Sequence, residues 1–183
     1  MAAQTQVCEF GWKAVDFDLP GIDGARHSLA SARGPNGLLV MFICNHCPYV
    51  KAIRERIVRD CRELQGHGIG AIAIMSNDQA EYPEDSFPNM KRVALESGFT
   101  FPYVVDESQA VAKAYGAVCT PEFFGFNRDL ELQYHGRLDA SKTAAIPGAR
   151  RELFDAMAKI AADGEGPADQ TAAIGCSIKW KRA

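Results

Sequence analysis

The sequence lacks the stretches that would place a chain in a membrane or on a nucleic acid. Its longest uninterrupted apolar run, Leu38 to Cys44, falls far short of the roughly 20 residues a spanning helix needs. It has no excess of basic charge. Lys and Arg number 20 against 23 Asp and Glu, a formal net charge of −3, whereas nucleic-acid binding asks for a basic face. Six cysteines in 183 residues are too few for a disulfide-stapled scaffold. An export segment is also missing from the start: the first positive charge is Lys13, and Glu9, Asp16 and Asp18 interrupt the region. The expectation is a cytoplasmic protein with neither nucleic acid nor membrane as partner. What is present is ordinary for a globular chain, 47% hydrophobic and 23% charged, and long enough for one domain.

Residues 14–32 read as a β-hairpin or two short strands, with Gly21 to Gly24 as the turn. Leu38 to Ile43 is apolar at consecutive positions, the pattern of a strand buried on both faces. Pro48 fits the first turn of a helix that continues to about Gln65 and stops at Gly66. Val50, Ile53, Ile57, Cys61 and Leu64 recur on one face of it. Ile69 to Met75 is a second buried strand, and Ser86 caps a helix that runs to Ser97. Phe101 to Val105 reads as a strand, Glu107 to Tyr115 as a helix, and Glu122 to Phe126 with Leu130 to Gly136 as an antiparallel hairpin. Ala149 to Ala162 is the last helix. This order predicts an α/β chain built on a mixed sheet with helices on both faces. The domain spans 1–162, and 163–183 form a Gly-, Pro- and Ala-rich tail that carries Cys176.

Cysteines that are sparse in a reducing compartment are more often catalytic or metal-binding than structural. Cys44-Asn45-His46-Cys47 stands directly between a buried strand and a helix. Two cysteines at this spacing close a small disulfide ring with little strain. The first is expected to face the helix's positive end, which favours a thiolate, the attacking species in thiol–disulfide exchange. His46 adds positive charge or a hydrogen bond beside Cys44. A C-x-x-C in this strand-to-helix setting is a strong redox signal. A zinc half-site is the competing reading, but zinc wants four ligands, and Cys119 and Cys176 could complete a set only if the tail folds back. Haem attachment is excluded, because Pro48 stands where a histidine is required.

The layout resembles the thioredoxin fold. FICNHCPYVKA (42–52), YPEDSFPNMK (82–91), GAVCTPEFFGF (116–126) and GCSIKWK (175–181) are similar to the thioredoxin-like branch of the peroxiredoxin superfamily. The resemblance implies that Pro121 is a cis-proline facing the C-x-x-C. It implies that Thr120 offers its backbone to a substrate strand and that its side chain tunes the active disulfide. It also implies thiol–disulfide chemistry without a metal or other cofactor. Two departures matter. The family's peroxidatic cysteine lies in P-x-x-x-T-x-x-C; if Cys47 takes its place, Cys44 occupies the threonine's position, and Val40 to Ile43 contains no proline. Ile43 also stands where thioredoxins carry tryptophan. A buried carboxylate assists the second cysteine in many such proteins, with Asp16 and Asp18 as candidates.

The expected activity is thiol–disulfide oxidoreduction, with Cys44 attacking and Cys47 resolving. The partners are a disulfide-containing protein or a low-molecular-weight disulfide, and a reductase or thiol as electron donor. A thiol peroxidase, and a non-catalytic redox sensor or zinc module, remain the alternatives. Cys119 and Cys176 are auxiliary redox candidates; Cys8 and Cys61 read as packing residues. His27, His67 and His135 read as solvated. The tail is expected to pack on the body through Ile178 and Trp180, its largest apolar side chains.

Overall fold

A computed structural model describes residues 1–183. In chain order the elements are β1 (Ala2–Gln4), β2 (Asp18–Pro20), β3 (Arg26–Ser28), α1 (Leu29–Ala32), β4 (Gly37–Phe42), α2 (Pro48–Gln65) and β5 (Ile69–Met75). They continue with α3 (Phe87–Ser97), β6 (Tyr103–Val105), α4 (Ala110–Tyr115), β7 (Cys119–Thr120), β8 (Glu122–Asn127), β9 (Leu132–Gly136), α5 (Glu152–Asp163) and β10 (Ile174–Ser177). The architecture is the thioredoxin-like one that the sequence predicts. β8 pairs antiparallel with both β4 and β9, and β5 pairs parallel with β6. The β4 side joins β5 through the Ile43 N–H to the Ile74 carbonyl, 3.1 Å.

β4 shows why this sheet is covered on both sides. Side chains alternate across a strand. Leu39, Met41 and Ile43 pack with α2, α3 and α5 through residues such as Ile57, Met90 and Met157. Leu38, Val40 and Phe42 pack on the other face with Tyr115, Phe124 and Phe126. α2 buries the predicted stripe of Val50, Ile53, Ile57, Cys61 and Leu64. Cys61 is therefore core, its thiol 3.9 Å from the Met41 sulfur.

Where the elements differ from expectation, non-local contacts are responsible. The helix read from Glu107 begins at Ala110, because the Asp106 carboxylate draws in the Val111 and Ala112 N–H groups at 3.3 and 2.9 Å. β1, β7 and β10 have no counterpart in the sequence reading. They form a second small sheet in the order β1-β10-β7. Residues 163–183 thus end in a strand between the N-terminus and the segment ahead of Pro121. Ile178 is buried, whereas Trp180 is 39% exposed, with Lys113 Nζ 5.7 Å from its ring. The docking expected of both side chains is made by Ile178 and by backbone pairing. No helix is long and apolar enough to cross a membrane.

Candidate functional site

β4 ends at Phe42 and α2 begins at Pro48, so the C-x-x-C forms the intervening bend. The helix places Cys47, not Cys44, at its N-cap. This corrects the expectation that Cys44 faces the positive end of α2. Proline at the first helical position causes the shift: its fixed φ and missing N–H suit that position, so the residue before it becomes the cap. Both thiols are enclosed, Cys44 at 2% and Cys47 at 0% exposure.

The two sulfurs converge on one residue. Cys44 Sγ lies 3.5 Å from Thr120 Oγ1, and Cys47 Sγ lies 3.2 Å from the Thr120 carbonyl oxygen. The Thr120–Pro121 peptide is cis. Thr120 and Pro121 therefore stand against the dithiol, where the resemblance implies they should. The two thiols are close enough to influence each other's proton, in opposite directions. The Cys44 thiol lowers the Cys47 pKa against the effect of burial, helped by Cys176, Thr120 and the Val50 N–H. Cys44 moves the opposite way, raised by Cys47, by burial and by the Asp85 carboxylate. Of the two thiols, Cys47 is the one whose surroundings favour the thiolate.

Asp85 is the residue that sequence reasoning missed. It is fully buried and accepts four hydrogen bonds: from the Asn45 and His46 N–H groups at 2.8 and 3.3 Å, from His46 Nδ1 at 2.6 Å and from Asn77 Nδ2 at 2.8 Å. Asn45 is fixed further by Tyr103, whose hydroxyl donates to Asn45 Oδ1 at 2.9 Å. His46 therefore turns back to a carboxylate and stacks on Tyr82, 5.6 Å between ring centres. Asp16 and Asp18, the expected carboxylates, are exposed and distant in role; Asp16 caps the turn at Phe17 and Leu29. The only sequence signal for Asp85 was its place in YPEDSFPNMK.

A Cys44 sulfur, a His46 nitrogen and an Asp85 oxygen lie within 4.8 Å of one another. The donor set could face a cation. Asp85 already receives four donors, however, and a metal would have to displace the His46 bond. Cys119 and Cys176 do not join this trio.

A second buried carboxylate supports the other wall. Glu122 Oε2 accepts from the Val118 and Cys119 N–H groups at 2.8 and 3.2 Å, and Glu122 Oε1 is 2.7 Å from His135 Nε2. His135, expected in solvent, is 8% exposed and stacks on Phe124. Cys119 points to this carboxylate, 3.9 Å away, and burial and the Glu122 charge hold its thiol strongly protonated. The register separates Cys119 from Cys176. Cys176 pairs directly with Thr120, and Ser177 with Cys119. Directly opposed residues share a face and neighbours alternate. Cys176 therefore lies on the Thr120 side, packed against the cluster that holds Cys44 and Cys47, and Cys119 on the other. Cys8, half-buried at the far end, is pushed up to about 11 by burial.

Residues 10–135 match the model of the AhpC/TSA family. The whole chain superposes on the crystal structure of an uncharacterized conserved protein from Geobacillus kaustophilus, at 41% identity and a TM-score of 0.94, covering 100% of this chain and 98% of that one. A hypothetical protein from Sinorhizobium meliloti is similar at 36% identity and a TM-score of 0.92, covering 98% and 99%. A thiol:disulfide interchange protein of the thioredoxin family from Chlorobium tepidum shares the fold at 20% identity, with a TM-score of 0.61 over 87% of this chain and 99% of that one. No curated protein matches the sequence.

Proposed function

The chain belongs to the AhpC/TSA family, and from that premise we propose that it is a thiol–disulfide oxidoreductase in which Cys44 and Cys47 cycle between dithiol and disulfide. One observation carries the reading: the two C-x-x-C sulfurs both rest on Thr120, ahead of a cis-proline. The Cys47 thiolate attacks one sulfur of a substrate disulfide. A mixed disulfide forms and the other substrate sulfur leaves as a thiolate. Cys44 then yields its proton toward the Asp85–His46 pair and attacks Cys47. The second substrate thiolate is released, and the Cys44–Cys47 bond forms. A thiol or reductase returns two electrons and two protons to close the cycle. With both sulfurs enclosed, a low-molecular-weight disulfide suits the site better than a folded protein's. A cytoplasmic location, without nucleic acid or membrane as partner, belongs to the same reading.

Graded oxidation followed by mass-spectrometric mapping tests it. The expected first product is the Cys44–Cys47 disulfide, reducible by low-molecular-weight thiols. An unreacted pair under conditions that oxidise free glutathione would overturn the reading.

A peroxidase reading has one observation in its favour. The thiol lowered by its surroundings is Cys47, in the position of the family's peroxidatic cysteine, and Cys44 stands in the threonine's position. Peroxide would convert Cys47 to a sulfenic acid, releasing water, and Cys44 would condense with it, releasing a second. No proline precedes the pair at Val40 to Ile43. The expected rate with hydrogen peroxide is within about tenfold of an ordinary thiolate, about 1.4 kcal/mol in barrier. Stopped-flow oxidation thousands of times faster would make peroxidase the better name.

A further inference from the structure

Three thiols share the dithiol end of the molecule, and they differ in access. Cys44 and Cys47 are enclosed, whereas Cys176 is half-buried. Cys176 is also held in place more firmly than a tail residue needs to be. β10 is flanked by β1 on one side and β7 on the other, so Cys176 has Ala2 and Thr120 as its two cross-strand partners. Gly175 permits the approach: a Cβ there would lie 1.9 Å from the Thr120 carbonyl oxygen, which is backbone and has nowhere to go. Beyond the strand, the Lys179 N–H donates to Asn77 Oδ1 at 2.9 Å, and Asn77 in turn donates to Asp85. Gln109 takes the Lys179 carbonyl and the Lys181 N–H, both at 2.9 Å. The tail is thus fastened on both sides of Cys176, and the fastening runs into the same network that orders the C-x-x-C.

From this placement we infer that Cys176 is the exchange thiol through which the buried Cys44–Cys47 disulfide communicates with external thiols. The inference rests on the reading of Cys44 and Cys47 given above. The Cys176 thiolate attacks Cys47 Sγ; the Cys44–Cys47 bond breaks, the Cys47–Cys176 bond forms, and Cys44 leaves as a thiolate that takes up the proton Cys176 gave away. No electrons are gained or lost by the chain in this step. An external thiol then attacks Cys176, the most accessible sulfur of the three. It releases the Cys47 thiolate and leaves a mixed disulfide that a second external thiol resolves.

The electrostatics give the step a direction. In the reduced protein, burial and the neighbouring Cys47 push Cys176 up to about 11, so it stays protonated. Forming the Cys44–Cys47 bond removes the negative charge that Cys47 can carry. Lys179 and the N-terminal ammonium, which both favour a Cys176 thiolate, then act without opposition from Cys47. Cys176 becomes a better nucleophile at the moment a disulfide is present for it to attack.

The test is the rate at which glutathione reduces the oxidised full-length protein, read by quenched alkylation. Cys176→Ser and Cys176→Ala should each slow reduction by at least about tenfold relative to the wild type. Gly175→Ala, which keeps every thiol but displaces the strand, should slow it likewise. Oxidised Cys44→Ser should yield the Cys47–Cys176 peptide on mass mapping. Wild-type reduction rates in both Cys176 variants, or no Cys47–Cys176 bond in Cys44→Ser, would overturn the exchange role while leaving the Cys44–Cys47 reading intact. If no Cys44–Cys47 bond forms in the Cys176 variants or the wild type, that earlier reading falls and takes this one with it.

Discussion

The two walls of the site are built on the same device, used for different ends. Asp85 and Glu122 are both fully buried carboxylates, paired with His46 at 2.6 Å and His135 at 2.7 Å. Each also accepts two consecutive backbone N–H groups: Asp85 from Asn45 and His46, Glu122 from Val118 and Cys119. One fixes the bend that carries the dithiol, the other the strand that carries Thr120. A charge-assisted bond to a backbone N–H is about twice as strong as a neutral one, so each carboxylate is an effective clamp for an otherwise irregular segment. The difference lies in what stands next to the clamp. Asp85 faces Cys44, which in the proposed cycle loses a proton to close the disulfide, and its histidine side chain is 24% exposed. Glu122 faces Cys119, off the dithiol side, and its histidine is 9% exposed. The same geometry is chemical where it meets a reacting sulfur and solvent, and structural where it meets neither.

Glu122 is therefore where stability should fall most. Glu122→Ala leaves His135 and two N–H groups unpaired in the interior. Breaking a buried pair by removing one partner costs about 3–5 kcal/mol. Urea unfolding should show that loss. Asp85→Asn, by contrast, keeps an oxygen for the Asn45 and His46 N–H groups and removes the base. Closure of the Cys44–Cys47 disulfide should slow by about 100-fold, the low end for a positioned acid or base, with a smaller loss of stability. If Glu122→Gln slowed closure as much as Asp85→Asn does, the division between the two walls would be wrong.

This division was only half legible in the sequence. The buried strands at 38–43 and 69–75, and the amphipathic helix from Pro48, write their burial into local periodicity. The C-x-x-C between strand and helix is visible by spacing. Asp85, Glu122 and His135 could not be read that way, because their burial depends on side-chain and backbone partners 4 to 40 residues away in the chain. A charged residue between prolines, or a histidine in a strand, looks like surface until its partner is seen. Asp16 and Asp18 misled for the converse reason: acidic residues near apolar ones in the chain turned out exposed. The tail lacked any apolar period because β10 docks through backbone pairing, with Gly175 at its closest contact. The placing of Cys44 at the helix end was off by the phase of the helix start, since Pro48 makes Cys47 the cap.

The two cysteines beside these walls should also respond to pH with opposite signs. Cys47 is lowered in the folded protein, so its contribution to stability is fully present above the ordinary thiol value of about 8.5 and is lost as pH falls through the folded value. Cys44 is raised, so its contribution is present below about 8.5 and is lost as pH climbs through the folded value. Unfolding of the reduced protein against Cys47→Ser should therefore show a gap that widens with pH and then levels. Iodoacetamide should also modify Cys47 at lower pH than Cys44, once slow opening has exposed both. A gap that narrows with rising pH would return the thiolate to Cys44, and with it the nucleophile's role.

The smallest effect is expected at the aromatic partners of the two histidines. His135 stacks on Phe124 with ring centres 4.2 Å apart, deep in the core, whereas His46 stacks on the half-buried Tyr82 at 5.6 Å. An aromatic pair adds about 0.5–1.5 kcal/mol beyond the area it buries, and a half-exposed pair belongs at the low end. Tyr82→Leu should thus change the closure rate of the dithiol by only about twofold, because three bonds to Asp85 already hold the bend. Phe124→Leu should lower the melting temperature more than Tyr82→Leu does, since it opens space in a packed core. A tenfold change in closure rate with Tyr82→Leu, at unchanged stability, would mean that the stack rather than the carboxylate sets where His46 stands. The proton from Cys44 would then be handled by the imidazole, with Asp85 serving only as its anchor.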